Sequence, residues 1–390
     1  MINLAAKRFF QYALLGEELR LAEDVVLTIE DDLIVRIEEN TAFHDVDEIY
    51  LDSLATPAFI NAHTHLGDSV AKEAAWNATI AEAVGNKGIK FRKLREKASE
   101  NPLAIKLTLR EMAHCGVAAF ADFREEGING ITLLKDQISD FPGKSIILGR
   151  PTTGMTDLLP VINNSDGLGI ATTTYYSDEE LTNIKTIAKQ NEKLLVVHCA
   201  ETKEERQLAL ERFGQNDVFR AIELLEADVL IHMTTATPKD LLLAKEQDVG
   251  VVFCPRSNAY FGTGFPPINE ALSMGLLVAL GTDNVMISHP DPLQEARWLA
   301  LQLRLMGKTP NPQELLQLIT VNPAKMFSLS SGILEVGKRA NILGINLKTP
   351  RTSYCDDPIL ALLMRATPED YALISFGDDV VYSENKRKSR

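Results

Sequence analysis

The stretch "FINAHTHLG", residues 59–67, carries two histidines one residue apart, introduced by apolar Phe59 and Ile60 and followed by Gly67. Side chains two apart on a strand leave it on the same side, so His63 and His65 project together and Thr64 projects away. The same spacing also occurs as two ordinary polar residues near a turn. What the pair means depends on what the rest of the chain supplies, and in what order.

Working outward, seven more short apolar runs follow: "GVAAFADF" (116–123), "KSIILG" (144–149), "GLGIATT" (167–173), "KLLVVHCA" (193–200), "ADVLIHM" (227–233), "VGVVFCP" (249–255) and "GLLVALGTD" (275–283). With "ATPAFINAH" before the pair, that makes eight. Helical segments separate them, such as "NPLAIKLTLREMAHC" and "SDEELTNIKTIAKQNE", the latter opening with a Ser-x-x-Glu capping box. Strands buried on both faces read as continuous apolar runs, and parallel strands need helical crossovers. Eight such units predict an α/β fold, a (β/α)8 TIM-type barrel over residues 52–331. A doubly wound sheet of six units is the competing fold, but no Gly-x-Gly-x-x-Gly follows an early strand.

The two chain ends have a β texture instead. "DVVLTIEDDLIVRIEE" (24–39) alternates about Asp31-Asp32, a hairpin signal. "GILEVGKRANILGINL" (332–347) and "ALISFGDDVVYS" (372–383) read as strand pairs, the second turning at Gly377-Asp378-Asp379. Residues 1–51 and 332–390 are therefore expected to form one small composite β-sandwich domain.

Bulk properties exclude several function classes. The 390 residues are 45 % apolar and 24 % charged, and 40 basic against 54 acidic residues give a formal net charge of −14. Nucleic acid as a partner requires a basic face, so none is expected. The basic run Lys386-Arg387-Lys388 reads as a solvated terminus. Cys115, Cys199, Cys254 and Cys355 form no Cys-x-x-Cys pair and no disulfide framework. "MINLAAKRFF" lacks a signal-peptide core, and no apolar run approaches about 20 residues, so a cytoplasmic location without membrane attachment is expected.

Catalytic groups of a barrel enzyme sit at the C-terminal ends of its strands. Run 1 ends in His63 and His65, run 5 in His198 with Glu201 three residues on, run 6 in His232 and run 8 in Asp283. A lone histidine at a strand end is more often a satisfied polar residue than a ligand. Four histidines and an aspartate, all at strand ends, make a metal site, and imidazole with carboxylate suits zinc as well as iron or manganese. His44, before the barrel, and His114, near a helix end, read as structural or solvated.

Order and local wording then resemble the amidohydrolase superfamily, in its branch of cytosine deaminase-like heterocycle deaminases and chlorohydrolases. The carriers are "PAFINAHTHLG", "VVHCAET", "FCPRSN" (253–258), "LGTDN" (280–284), "NPAKMFSL", "GILEVGKRANIL" and "DDPILALLMRA", in order from about residue 50 to the end. Matched motif by motif, the resemblance implies that His63, His65, His198 and Asp283 are the ligands of one divalent metal, zinc first, with iron or manganese as alternatives. Two-metal members use a lysine on strand 4, and "GLGIATTT" has none. Glu201 becomes the proton shuttle, His232 the group polarising the attacked centre, and Asp283 also the acceptor of the water proton. The implied activity is hydrolysis of a carbon–nitrogen bond other than a peptide bond: metal-bound hydroxide attacks an amidine-type carbon of a nucleobase- or nucleoside-like heterocycle and ammonia leaves. A homo-oligomer is implied as well.

Two rivals stand beside it: a cyclic-amide or carbon–halogen hydrolase of the same fold, and a non-catalytic metabolite-binding barrel. The small zinc deaminases are excluded, because they need His-x-Glu and Pro-Cys-x-x-Cys. Cys199, adjacent to His198, points away from it, and with Cys254 reads as barrel packing. The chain departs from the family wording at Ala58, where glycine is usual, and at "MTTAT" after His232.

The substrate is a small molecule. Lys72, Arg124, Arg150 and Arg256 follow strands 1, 2, 3 and 7, and cations gathered at one face would hold an anionic group. Glu73, Glu125 and Glu126 are their alternative partners. Arg150, ending an otherwise apolar strand, is the leading substrate contact, followed by Trp76, Ser257 and Asn258.

Overall fold

The computed structural model describes residues 5–42, 45–85, 87–152 and 156–384. His44 and the basic run 386–388 lie outside the described residues. Contacts divide the chain into two compact units: Met1–Ile60 with Glu111–Ala118 and Pro292–Arg390, and Asn61–Arg110 with Ala119–Asp291.

The first unit is built on a sheet drawn from both chain ends. Its strands are β1 (Ala6–Leu15), β2 (Arg20–Glu30), β3 (Leu33–Glu38) and β4 (Glu48–Pro57) from the first sixty residues. The last of these runs past residue 51, to Pro57. The β2–β3 hairpin turns at Asp31 and Asp32, both with positive φ (49° and 68°), as a two-residue primed turn requires. Val25, Leu27, Ile29 and Ile34 supply its buried face, in one core cluster with Phe10 of β1.

The barrel strands follow: β5 (Phe59–His65), β6 (Val117–Arg124), β7 (Lys144–Gly149), β8 (Gly167–Ile170), β9 (Leu194–Cys199), β10 (Val229–His232), β11 (Gly250–Phe253), β12 (Val278–Leu280) and β13 (Asp283–Asn284). All eight apolar runs are strands. They form one sheet in the order β12-β11-β10-β9-β8-β7-β6-β5-β13. The eighth run supplies both ends of that order: β12 pairs in parallel with β11, and β13 with β5. The sheet thus closes on itself as a TIM-type barrel. β5, β6, β10 and β11 are buried at every position, which is why their sequences do not alternate.

The jog between β12 and β13 occurs at Gly281. A Cβ there would lie 2.6 Å from the His63 Cβ and 2.8 Å from its backbone nitrogen, so only glycine lets the eighth run cross beside β5. Gly67 has a comparable reason: its missing Cβ gives room to the buried Arg124 guanidinium. The expected capping box is present, Ser177 and Glu180 opening the helix Asp178–Gln190.

After the barrel the chain returns to the first sheet through β14 (Asn341–Asn346), β15 (Tyr371–Phe376) and β16 (Asp379–Ser383), giving the order β16-β15-β14-β4-β1-β2-β3. The expected strand pair over 332–347 is a single strand, β14. Residues before it turn instead, with Gly332 and Gly337 at φ 81° and 85°, and hang on the β2–β3 hairpin through Gly337 N–Ile34 O and Ala340 N–Asp32 O bonds. The last hairpin turns at Gly377 and Asp378, Asp379 already belonging to β16. No helix among the described residues is long and apolar enough to cross a membrane.

Candidate active site

The C-terminal ends of β5, β9, β10 and β13 meet in the second unit. β5 delivers His63 and His65 from one face, while Thr64 turns away and donates to Ala121 O (3.0 Å) and Asp122 Oδ1 (3.1 Å). His198 Nε2 lies 3.3 Å from both His63 Nε2 and His65 Nε2. Asp283 Oδ1 stands 3.2 Å from His63 Nε2 and 3.5 Å from His65 Nε2. His232 joins from the other side, its ring stacked at 5.3 Å on that of His198. Ligand atoms of His63, His198, His232 and Asp283 all fall within 4.8 Å of one another.

Two of these residues depend on unusual backbone. His232 has φ 77° and Asp283 φ 60°, the left-handed region that non-glycine residues seldom enter. Such conformations cost about 1–3 kcal/mol each and persist where surrounding structure imposes them.

The electrostatics suit a cation. Burial, foremost, pushes the His63 pKa down to about 3 and that of His198 well below the ordinary histidine range, so both rings are neutral. Burial opposes ionisation of Asp283, but its His63 hydrogen bond and the surrounding imidazoles outweigh this and hold it well below the usual carboxylate range. Three imidazole nitrogens and a carboxylate oxygen converge at 3.2–3.5 Å, and a ring nitrogen has at most one proton to share among those contacts. The donor set fits a divalent ion.

Beside the cluster lies a cavity of about 760 Å³ whose lining includes His65, Lys90, Glu125, Arg150, Glu201 and His232. Glu201 Oε1 is 3.5 Å from His232 Nε2, and burial raises the Glu201 pKa, which favours its carrying a proton. Arg150 enters the cavity with Nη1 3.4 Å from Glu125 Oε1 and Nε 3.4 Å from Gly169 O. Ser257 and Asn258 do not line it. Ser257 Oγ donates to Asp283 Oδ2 at 2.5 Å, and Asn258 Nδ2 stands 3.5 Å from His232 Nδ1, so both support site residues from behind. Trp76 is 71 % exposed, packs edge-on against Tyr260, and borders a separate groove.

Lys72, Arg124 and Arg256 are likewise not among the described lining residues. Arg124 is buried beside Asp122 and Glu125, and Arg256 donates to His289 O. His114 is exposed at its helix end, and none of the four cysteines is in a disulfide. Burial pushes the Cys199 thiol well above its usual range.

Lys90, Asp68 and Asn284 escaped sequence reasoning. Lys90 Nζ lies 2.8 Å from Asp68 Oδ2 and 2.6 Å from Glu125 Oε1, and Asn284 Nδ2 donates to Asp68 at 2.5 Å. Asn284, directly after Asp283 in "LGTDN", carried the only local signal. Lys90 sits in a polar helix, Ile89–Glu96, whose sequence reads as solvent-facing although the ammonium is buried.

The amidohydrolase family model matches residues 54–371. An uncharacterised protein of Methanocaldococcus jannaschii is 34 % identical over 353 residues, 87 % of this chain and 89 % of that protein. A 5-methylthioadenosine/S-adenosylhomocysteine deaminase of Pyrococcus horikoshii is 28 % identical over 372 residues, covering 88 % and 87 %. Among solved structures, an adenosine deaminase from Xanthomonas campestris with bound zinc superposes with a TM-score of 0.84 at 18 % identity, over 97 % of this chain and 93 % of that one. The family match spans most of the chain and includes every strand end that meets at the histidine cluster, so the chain belongs to the amidohydrolase family.

Proposed function

We propose that the protein is a metal-dependent hydrolytic deaminase of a nitrogen heterocycle, nucleobase- or nucleoside-like. The carrying observation is the placement of Glu201 and His232, 3.5 Å apart, on the cavity side of the histidine–aspartate cluster. A relative named as a 5-methylthioadenosine/S-adenosylhomocysteine deaminase supports the reaction class. His63, His65, His198 and Asp283 would hold one divalent ion, with zinc as the first choice. When bound, such an ion lowers the pKa of a water to about 7.

The chain's own groups do the rest. Asp283, fixed through Oδ2 by Ser257, takes the water proton. Glu201 holds a proton for the ring nitrogen beside the attacked carbon, making that carbon more electrophilic, and then helps protonate departing ammonia. His232 Nε2 donates to the oxygen as negative charge gathers there. Arg150, which lines the same cavity, would bind the substrate there.

Ammonia release across aminopurines, aminopyrimidines and aminotriazines tests the reading. Turnover of at least one class with stoichiometric ammonia supports it. Turnover only of cyclic amides or halogenated rings would replace it with another hydrolysis. No turnover together with no bound metal after reconstitution would leave a metabolite-binding barrel.

A further inference from the structure

We infer that Asp217 and Thr235 are positioning residues for Glu201: they clamp the peptide groups on either side of Ala200 and so fix where the Glu201 carboxyl stands beside His232. The inference rests on the proton-shuttle role proposed for Glu201. All five residues belong to the second unit. β9 ends at Cys199, and buried Ala200 then takes φ 49°, a conformation that a non-glycine residue keeps only where its surroundings hold it. Here both peptide groups are held. The Ala200 N–H donates to Asp217 Oδ2 at 2.5 Å. The Ala200 carbonyl accepts from Thr235 N at 2.8 Å and from Thr235 Oγ1 at 3.0 Å. Glu201 follows directly. Thr202, the next residue, caps the helix Lys203–Phe213 by accepting from Glu205 N at 3.1 Å. The backbone is therefore held on both sides of Glu201.

The clamp also ties Glu201 to His232. Thr235 lies three residues beyond His232, in the "MTTAT" stretch where the chain departs from the family wording. That stretch runs back along the end of β9: Met233 N donates to Cys199 O at 2.9 Å, and the Thr235 bonds to Ala200 O come next. Across this connection Glu201 Oε1 stands 3.5 Å from His232 Nε2. Asp217 is itself fixed. It is 1 % exposed and opens the short helix Asp217–Phe219, which Asn216 caps by accepting from Phe219 N at 2.8 Å. Removing its acceptor would leave a buried N–H unpaired, which costs more than the bond contributes. The turn would relax, and a shift of about 1 Å at a reacting group costs about 10²-fold in rate. Neither Asp217 nor Thr235 is among the described residues lining the cavity, so each acts through Glu201 and not on the substrate.

Kinetics and crystallography test this separately. Asp217→Ala removes the acceptor for the Ala200 N–H, and Asp217→Asn keeps one. Thr235→Val removes the hydroxyl at nearly constant shape, and Thr235→Ser keeps it. The substrate is whichever aminopurine, aminopyrimidine or aminotriazine releases ammonia fastest. On it, kcat should fall about 10–100-fold in Asp217→Ala and about 3–10-fold in Thr235→Val, with KM and zinc content close to wild type. The asparagine and serine variants should recover most of the loss. Equal kcat within both pairs, or a loss confined to KM, would overturn the inference. Crystal structures of Thr235→Val and Asp217→Ala give a reading without turnover. The Glu201 carboxyl should be displaced or spread over conformers, while His63, His65, His198 and Asp283 stay in place. A Glu201 carboxyl unmoved in both variants would overturn the inference as well. A wild-type chain that binds zinc but releases no ammonia would count against the proposed function alone, and the crystal structures would still decide the positioning.

Discussion

Ser257 Oγ donates to Asp283 Oδ2 at 2.5 Å, and this bond turns Asp283 Oδ1 toward His63 Nε2 at 3.2 Å. One carboxylate thus has a fixed oxygen and a facing oxygen. Hydrogen bonds to charged groups are worth about 1.5–3 kcal/mol. Ser257→Ala should therefore lower kcat at least about tenfold with little change in KM, as steady-state kinetics on the best heterocycle would read. An unchanged kcat would show that Asp283 keeps its orientation without Ser257.

Glu201→Gln removes the proton carrier while preserving shape. Metal content by elemental analysis should equal wild type, and kcat should fall by about 10²–10⁴-fold. Loss of metal on this substitution would instead make Glu201 a ligand.

Arg150 lines the cavity beside Glu125. Arg150→Ala should raise KM about tenfold or more and leave kcat within a few-fold, the pattern of lost uniform binding. Unaltered KM would remove Arg150 from substrate recognition.

Gly281→Ala would drive a methyl group against the His63 backbone and Cβ. Overpacking of this kind costs about 1–3 kcal/mol, and here the strain falls directly on β5. A lower thermal midpoint and weaker zinc binding should appear together. A variant as stable and as metal-competent as wild type would mean the eighth run can shift freely.

Chelation and reconstitution address the metal itself. Turnover should vanish in the stripped chain and return with zinc, and zinc in excess should raise the thermal midpoint because it binds the folded state. Full activity after exhaustive chelation would contradict the ligand set proposed for His63, His65, His198 and Asp283.

The sequence by itself determined the eight barrel strands and the residues that close them. Continuous apolar runs with helical spacers admit few folds, and a two-residue period says which side of β5 His63 and His65 must leave. It also located the first and last hairpin turns, because Asp31-Asp32 and Gly377 satisfy backbone requirements that are local. Only the tertiary structure decided what meets those side chains. The sequence treated Glu125 as one of several partners for loop cations, and Lys90 did not stand out. Folding buries the two against each other, with Glu125 beside His65. Ser257 and Asn258 moved from expected substrate contacts to supports of Asp283 and His232, and Trp76 fell outside the main cavity. The reason is physical. Periodicity fixes the direction in which a side chain leaves its own strand. Where the ends of long lysine, arginine and glutamate side chains come to rest depends on partners brought near by barrel closure, as Lys90 and Glu125 are across 35 residues of chain.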